Sequence, residues 1–353
     1  MPTLEKISAD LDGAQWFSTI DLQNAFFHVV LDQDSRHLTN FFSEFGMYRC
    51  FRLPFGLCNS PDVFQEILQR KILGECEGCR NYLDDILVYG KTKAEHDARL
   101  AVVRAALANH NVRINAEKCV FGSQRVRFLG FVLTPEGWQI EDEKVTAIQN
   151  FRRPENCAEV KSFLGLVTFI DRFIPHRASR TVHRFYWTDL EDREFCFLQT
   201  EALKSIKNLG YYNAADHTEL YVDASPVGLV AVLAQFTPDG ISRIISCASK
   251  ALTPSEQRYP QTQREALAIV WAVERFSYYL LTKTFTIRTD SEANQFIFNS
   301  NHRLGKRAIS RAEGWALRLL PYDFKIERIP GNQNVADALS RLKYTDSSNE
   351  SGV

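Results

Sequence analysis

The chain lacks any apolar stretch long enough to cross a lipid bilayer. Its longest apolar helical segment is Ala266–Val273, well short of the roughly 20 residues that a membrane-spanning helix needs. The first residues also lack the apolar core of a secretory signal peptide. We therefore expect a protein that is neither membrane-inserted nor secreted. It is expected in the cytoplasm, with the nucleus as the alternative.

A net charge of one sign is also missing, because 42 Lys and Arg residues face 43 Asp and Glu residues, a balance of −1. A uniformly basic surface is therefore excluded, and any nucleic-acid site must be local, with acidic side chains gathered elsewhere. There is no low-complexity tract. A chain of 353 residues, 45% of them hydrophobic, is long enough for two or more globular domains.

The eight cysteines lack the spacing of a zinc site. Only Cys76 and Cys79 are close together, and no second pair of cysteines or histidines completes a tetrahedral ligand set. The pattern instead favours reduced, buried thiols in a reducing compartment.

The chain does contain two adjacent carboxylates, Asp84 and Asp85, inside the apolar run Asn81–Gly90. The flanks are rich in leucine, aromatic and β-branched residues, as in a buried strand, whereas an Asp-Asp step favours a turn. We therefore predict a hairpin with both carboxylates at its tip. Two like charges held together repel each other unless a cation lies between them, and Mg²⁺ prefers carboxylate oxygens. The pattern indicates a divalent-metal site, with a solvated turn as the alternative.

A third carboxylate, Asp21, follows the predicted strand Trp16–Ile20. Together with Asp84 and Asp85 it could complete a set of three on one face of a sheet. Such a set is the minimum for two metal ions roughly 4 Å apart, which activate a 3′-hydroxyl and stabilise a leaving pyrophosphate. Taken alone, Asp21 is more typical of an N-cap for a helix that begins at Leu22, and only its combination with Asp84 and Asp85 favours a metal site.

The C-terminal part carries a second set of acids at the ends of predicted strands and the starts of predicted helices. These are Asp223, Glu265, Asp290 and Asp337. For each acid taken alone, a structural role such as a turn or a helix cap is favoured. A central sheet would bring all four together, and that convergence indicates two-metal phosphodiester hydrolysis.

Hydrophobic periodicity predicts the elements that carry these motifs. We expect helices over 62–73 and 95–109, and a strand over Val126–Leu133 that is kinked at Gly130. A helical region follows over 142–174, broken at Pro154. A second α/β unit begins near Glu219.

Taken together, the ordered motifs resemble the reverse transcriptase and ribonuclease H region of gypsy-type LTR retrotransposon polyproteins, from Pro2 to about Leu342. The polymerase-like motifs are Phe17–Leu22, Leu53–Pro61, Tyr82–Asp85, Asn115–Cys119 and Phe128–Gly130. Phe163–Leu166 with Arg172–Ile174 resembles the connection between the two activities. The nuclease-like motifs are Tyr221–Ser225, Arg264–Leu267, Thr289–Asp290 and Ala336–Arg341.

The resemblance implies an α/β fold class. An α+β palm with a helical thumb and connection would precede a ribonuclease H-like α/β domain. The implied domains are a palm at 1–133 with its fingers largely missing, a thumb-like helical subdomain at 134–178, a connector at 179–215, a ribonuclease H-like domain at 216–342, and a disordered tail at 343–353. The implied activities are RNA-directed DNA polymerisation and cleavage of RNA in RNA–DNA hybrids.

The same resemblance assigns roles to individual residues. The catalytic and metal-binding residues would be Asp21, Asp84 and Asp85 at the polymerase site, and Asp223, Glu265, Asp290 and Asp337 at the nuclease site. Each site would hold two Mg²⁺ ions, with Mn²⁺ as the alternative ion. The substrate-binding residues would be Phe26, Phe55, Gly56, Tyr82, Lys118, Phe128, Leu129 and Gly130. The implied partners are an RNA template, a DNA primer, an RNA–DNA hybrid and deoxynucleoside triphosphates.

Three of these assignments have plain structural alternatives. Phe26 would stack under the incoming sugar and exclude a 2′-hydroxyl, but it also fits as a core phenylalanine. Lys118 would assist pyrophosphate departure, but a surface lysine is the simpler interpretation. A basic run (Arg303, Lys306, Arg307 and Arg311) would contact the phosphates of the hybrid, or would form a solvated helix face.

The resemblance begins just before the first palm motif, so the basic fingers residues that face the triphosphate are expected to be absent. Loss of those cations removes charge compensation for the triphosphate. Two alternative functions therefore stay open. One is a catalytically impaired remnant that at most binds nucleic acid, and the other is a protein that retains the nuclease activity alone.

Overall fold

The computed structural model describes residues 3–173, 189–200, 208–290 and 306–330. The chain divides into two compact units, Met1–Glu141 and Asp142–Val353. No helix in the described ranges is long and apolar enough to cross a membrane. The finer division into thumb, connector and tail stays a prediction.

The first unit mixes short helices with antiparallel strands. Its helices are α1 (Leu4–Ala9), α2 (Ser60–Ile67) and α3 (Lys93–Asn109). Its strands are β1 (Trp16–Asp21), β2 (Phe41–Ser43), β3 (Gly46–Tyr48), β4 (Cys79–Tyr82), β5 (Asp85–Gly90), β6 (Val120–Ser123), β7 (Val126–Phe128), β8 (Phe131–Thr134) and β9 (Gly137–Ile140).

A central sheet in the order β4–β5–β1–β6 carries two of the polymerase-like motifs, Phe17–Leu22 and Tyr82–Asp85. All its pairings are antiparallel. One core cluster joins Ile20 and Ile86 of the sheet to Phe64 of α2 and Val103 of α3, all at most 1% exposed. Burial of these apolar side chains holds α2 and α3 on the sheet, because each side chain removed from water stabilises the fold by about 1.5–3 kcal/mol.

A buried polar contact also joins three elements of this unit. Ser18 of β1 shares a hydrogen bond with His96 of α3, with 2.8 Å between Oγ and Nε2, and both side chains are fully buried. The Gly122 N–H of β6 donates to the same Ser18 oxygen at 2.9 Å. Because a buried hydroxyl without partners is costly, this arrangement specifies how β1, β6 and α3 meet.

Two predictions for the first unit are confirmed and one is wrong. The helices expected at 62–73 and 95–109 are present, the first as α2 continued by a π-helical turn at Leu68–Ile72. The expected kinked strand at Val126–Leu133 is instead the hairpin β7–β8, because Leu129 and Gly130 both have positive φ, +51° and +78°. Two successive left-handed residues close a two-residue hairpin turn rather than bend a continuous strand.

The second unit begins with helices and continues as a mixed sheet. Its described helices are α4 (Asp142–Gln149), α5 (Cys157–Phe169), α6 (Asp189–Thr200), α7 (Gln261–Arg275), α8 (Ser277–Leu280) and α9 (Lys306–Leu319). Its described strands are β10 (Asn208–Leu209), β11 (His217–Ala224), β12 (Gly228–Phe236), β13 (Ser242–Ala251), β14 (Thr284–Thr289) and β15 (Asp323–Arg328). The helical region expected from 142, with a break around Pro154, is confirmed as far as Phe173.

Five described strands of this unit form a sheet in the order β13–β12–β11–β14–β15. Strands β11, β12 and β13 form an antiparallel meander, whereas β14 and β15 run parallel to β11 and to each other. Helix α7 packs on β11 and β12, and its buried Ile269 and Val273 contribute to the core. The expected α/β fold class is therefore confirmed.

The close approach of α3 to β5 provides a stability test. A Cβ atom on Gly90 would lie 2.7 Å from the His96 backbone nitrogen and 2.8 Å from its Cα, so α3 would have to move. Gly90→Ala should therefore lower the free energy of unfolding by about 1–3 kcal/mol, measured by urea denaturation with circular dichroism.

The matched control for this substitution is Gly165→Ala in α5. A Cβ atom there would meet nothing within 4 Å, so we expect no loss and a gain of up to about 1 kcal/mol from helix propensity. Equal effects of the two substitutions would contradict the close contact at Gly90.

Candidate active sites

The three acids of the first unit meet where β1, β5 and the β4–β5 turn come together. Asp21, the last residue of β1, lies directly opposite Asp85, the first residue of β5. Opposed residues in antiparallel strands have Cβ atoms about 4.5–5.5 Å apart. The backbone oxygen of Asp84 accepts a hydrogen bond from Leu22 N–H at 3.1 Å, which ties the turn to the end of β1. Asp21 belongs to the strand, so the helix N-cap interpretation is wrong.

The electrostatics of this cluster centre on Asp85. Burial, followed by the nearby carboxylates of Asp84 and Asp21, raises the pKa of Asp85 to about 6, and Lys118 partly opposes that rise. The Lys118 ammonium lies 3.6 Å from the Asp21 carboxylate and is 66% exposed. A solvated lysine compensates only part of the repulsion among three acids. The cluster therefore favours binding of a further cation.

The donor set fits a hard divalent ion. Carboxylate oxygens are the ligands that Mg²⁺ prefers, and two of the three acids are on rigid strands. Across the described ranges, no group of three or more His, Cys, Asp or Glu side chains is already arranged around a single point as metal ligands. Asp21, Asp84 and Asp85 are the residues of this unit that would hold the metal.

The turn that carries Asp84 differs from the expected hairpin in one respect. Tyr82 pairs with Asp85, so the loop contains Leu83 and Asp84 alone, and Asp85 belongs to β5 rather than to the tip. Leu83 has a φ of +52°, a left-handed conformation that hairpin turns of this length usually assign to glycine. Asp84 is exposed at the tip, whereas Asp85 is partly buried.

A residue that the sequence did not single out contacts this turn. Gln65 of α2 is 3% exposed, and its side-chain oxygen accepts a hydrogen bond from Leu83 N–H at 2.7 Å. Its side-chain nitrogen donates to the Asn81 carbonyl at 3.2 Å. The sequence did contain one indication of Gln65: it is a polar residue next to Phe64 in a predicted amphipathic helix.

The predicted substrate-binding aromatics form a small cluster in the same unit. Phe26, in the turn Ala25–His28, has its ring centroid 4.9 Å from Phe55 and 5.6 Å from Phe64. Phe55 is 59% exposed, whereas Phe64 belongs to the core. Phe26 thus lies at the edge of the core with a neighbour in solvent, a position compatible with both of its predicted roles.

The backbone conformation at Gly56, next to Phe55, requires glycine. Its φ is +90°, whereas a Cβ atom there would meet nothing within 4 Å. Tyr82 is partly buried at the end of β4, beside Asp85. The roles predicted for these residues and for Lys118 stay predictions.

The three residues predicted to hold the primer end belong to the β7–β8 hairpin. Phe128 is buried and pairs with Phe131, and Leu129 and Gly130 form the turn. Strand β7 contacts β1, the strand that ends in Asp21. Their contact with a primer stays a prediction.

The acids of the second unit lie at the ends of neighbouring strands and on the helix that covers them. In the parallel pairing of β11 with β14, Tyr221 aligns with Arg288. That pair is the last between the two strands, and Asp223 and Asp290 each lie two residues beyond it, Asp290 just past the end of β14. Asp223 and Asp290 are both partly buried, as is Glu265 on α7.

A glutamine side chain links two parts of this second site. Gln261 donates from Nε2 to the Ala224 carbonyl at 3.0 Å and to the Glu265 carboxylate at 2.9 Å. Ala224 N–H in turn donates to the Asp223 carboxylate at 2.8 Å. The fourth predicted acid, Asp337, lies outside the described residues. Of the basic run, Lys306, Arg307 and Arg311 are in α9 and Arg303 lies outside the described residues.

Comparison with known sequences identifies both units. The family of reverse transcriptases (RNA-dependent DNA polymerases) matches residues 1–133, and the RNase H-like domain found in reverse transcriptases matches residues 213–322. The Pol polyprotein of Drosophila melanogaster transposon 297 is 33% identical over 98% of this chain and 33% of its own length. That of transposon gypsy is 31% identical over 99% of this chain and 35% of its own length. This chain therefore spans about a third of the relatives it matches.

Solved structures agree with the fold. The foamy viral protease-reverse transcriptase in complex with RNA/DNA hybrid matches with a TM-score of 0.79 at 22% identity, over 99% of this chain and 48% of that one. The two units thus define a reverse transcriptase followed by an RNase H-like domain. Over nearly its whole length the chain is similar to Pol polyproteins of gypsy-type LTR retrotransposons, which confirms the resemblance inferred from its motifs.

The raised pKa of Asp85 predicts a pH-dependent stability. The folded state keeps this proton up to about pH 6, whereas the unfolded state loses it near 3.8. Folding therefore takes up a proton in this interval, and stability falls as the pH rises through it. Asp85→Asn removes the free-energy cost of ionising this carboxyl in the folded state. In EDTA the variant should be more stable than wild type by about 1–2 kcal/mol at pH 7.5, after allowance for solvent screening, and this advantage should vanish toward pH 4.

The measurement is urea unfolding at several pH values, with and without Mg²⁺. Excess Mg²⁺ should stabilise wild type and narrow the difference from Asp85→Asn, because the ion binds the folded state. An advantage of Asp85→Asn that is equal at pH 4.5 and pH 7.5 would contradict the electrostatic account of this cluster.

Proposed function

We propose that this chain carries two activities. The first unit extends a DNA primer on an RNA template with deoxynucleoside triphosphates, and the second cleaves RNA in an RNA–DNA hybrid. The observation that carries the proposal is the pairing of Asp21 with Asp85 beside Asp84, three acids whose mutual repulsion a divalent ion would relieve.

At the polymerase site, Asp21, Asp84 and Asp85 would hold the Mg²⁺. The metal supplies activation of the primer 3′-hydroxyl and charge stabilisation at the departing pyrophosphate. Lys118, within 3.6 Å of Asp21, presents a positive charge at the same place. The Phe26–Phe55 pair would contact the sugar and base of the incoming nucleotide through its exposed ring.

At the nuclease site, Asp223, Glu265, Asp290 and Asp337 would hold the metal. Support comes from the positions of Asp223 and Asp290, each two residues beyond the last pair of β11 with β14, and from the link through Gln261 between Ala224 and Glu265. The foamy viral protein is described in complex with RNA/DNA hybrid and with double-stranded DNA, and we extend that nucleic-acid binding to this chain.

The polymerase proposal predicts that Asp84→Asn lowers primer extension on an RNA template by at least about a hundredfold, because a ligand of the metal that stabilises the transition state is lost. Extension should also stop in EDTA and return with Mg²⁺. The matched control is Asp62→Asn, an exposed acid in α2, which should extend like wild type. If wild type gives no metal-dependent extension, the polymerase assignment fails for this chain.

The nuclease proposal predicts that Glu265→Gln and Asp223→Asn each lower cleavage of a labelled RNA–DNA hybrid by at least about a hundredfold. Asp239→Asn, in the exposed turn between β12 and β13, is the control that should cleave normally. Cleavage without extension by wild type would favour the nuclease-only alternative. Undiminished cleavage by Glu265→Gln would contradict the assigned site.

A further inference from the structure

The Gln65 side chain takes the place of a neighbouring strand at the edge of β4. In the sheet order β4–β5–β1–β6, strand β4 is at the edge among the described strands. The Asn81 carbonyl of β4 and the N–H of Leu83, the first residue after β4, are two residues apart and both face the Gln65 side chain. Gln65 accepts from the Leu83 N–H at 2.7 Å and donates to the Asn81 carbonyl at 3.2 Å. One primary amide thus satisfies both groups as a peptide unit would.

This arrangement specifies glutamine. A backbone N–H can only donate and a carbonyl can only accept, so the side chain must present an acceptor to Leu83 and a donor to Asn81. Glutamate supplies no donor when it is ionised, and leucine supplies neither group. At 3% exposure, water does not easily replace the lost partner.

The backbone that Gln65 holds is a strained one. Leu83 has a φ of +52°, which costs free energy for a residue with a Cβ atom unless the surroundings enforce it. Because the loop contains only Leu83 and Asp84, rotation at Leu83 would carry the Asp84 carboxylate away from Asp21. The loop is fixed on its other side by the hydrogen bond from Leu22 N–H to the Asp84 oxygen at 3.1 Å.

We propose that Gln65 is a positioning residue of the polymerase site. Its amide holds Leu83 in the left-handed conformation and thereby fixes Asp84 and Asp85 relative to Asp21. This inference rests on the proposed polymerase function. It adds to that function a residue that contacts neither metal nor nucleotide and acts through the backbone of the turn.

A kinetic comparison tests the role. Gln65→Leu should lower kcat for primer extension by at least about tenfold, with KM for template-primer and for nucleotide changed less than about twofold. The double variant Gln65→Leu with Leu83→Gly should recover most of the lost kcat, because glycine adopts a positive φ without enforcement. Gln69→Leu, an exposed position on the following turn, is the matched control and should extend like wild type.

Rescue by Leu83→Gly would tie the lost kcat to the conformation of Leu83, because glycine adopts a positive φ without the hydrogen bond from Gln65. If Gln65→Leu does not fold by circular dichroism, Gln65→Glu replaces it, since that substitution keeps the volume and loses the donor. Wild-type kcat in a folded Gln65 variant, or the absence of rescue by Leu83→Gly, would overturn the proposal.

Hydrogen exchange tests, without relying on activity, whether Gln65 holds the Leu83–Asp84 turn. By mass spectrometry, the peptide that contains Leu83 should exchange at least about tenfold faster in Gln65→Leu than in wild type, with no change in Gln69→Leu. If the exchange rate of this peptide is the same in Gln65→Leu as in wild type, Gln65 does not hold the turn and the proposal is overturned. Wild type could also fail to extend primers while Gln65→Leu still exchanges faster than wild type. In that case the proposed polymerase function is wrong, and the contact of Gln65 with the turn is a structural feature alone.

Discussion

The register between β1 and β5 is the constraint on which the first unit depends. It places Asp21 opposite Asp85 and beside the Asp84 turn, so that three like charges share one end of a sheet. Burial, followed by the neighbouring carboxylates of Asp84 and Asp21, raises the pKa of Asp85. The sheet holds the acids together because the core beneath it is fully buried. Apolar burial thus stabilises a charge arrangement that would separate by itself, as is usual for metal-dependent sites.

Both units use a glutamine amide to join a helix to backbone next to one of the predicted acids. Gln65 of α2 bonds to the backbone on either side of Tyr82, and Gln261 of α7 bonds to the Ala224 carbonyl and to Glu265. A neutral amide can bond to a carbonyl and an N–H or carboxylate at once, and it adds no charge to an acidic site. Such contacts tie the predicted acids to neighbouring elements without adding a charge.

The acids themselves were predictable from the sequence because each breaks a strong local pattern. Asp84 and Asp85 interrupt an apolar strand pattern, and Asp21, Asp223 and Asp290 occur where such patterns end. The family was predictable for a related reason, since several motifs in fixed order are specific even when each is short. Predictions failed where backbone conformation decided the outcome. The strand expected through Gly130 is a hairpin because Leu129, not only glycine, adopts a positive φ, and no side-chain pattern encodes that.

The sequence alone therefore determined the fold class, the family and the acids that define both candidate sites, because those depend on residue identity and order along the chain. Only the tertiary structure decided which of these residues meet. The pairing of Asp21 with Asp85, the hydrogen bond from Gln261 to Ala224 and the two hydrogen bonds of Gln65 join residues distant in sequence. Strand register and helix packing fix such contacts, and they are properties of the whole core rather than of any local segment.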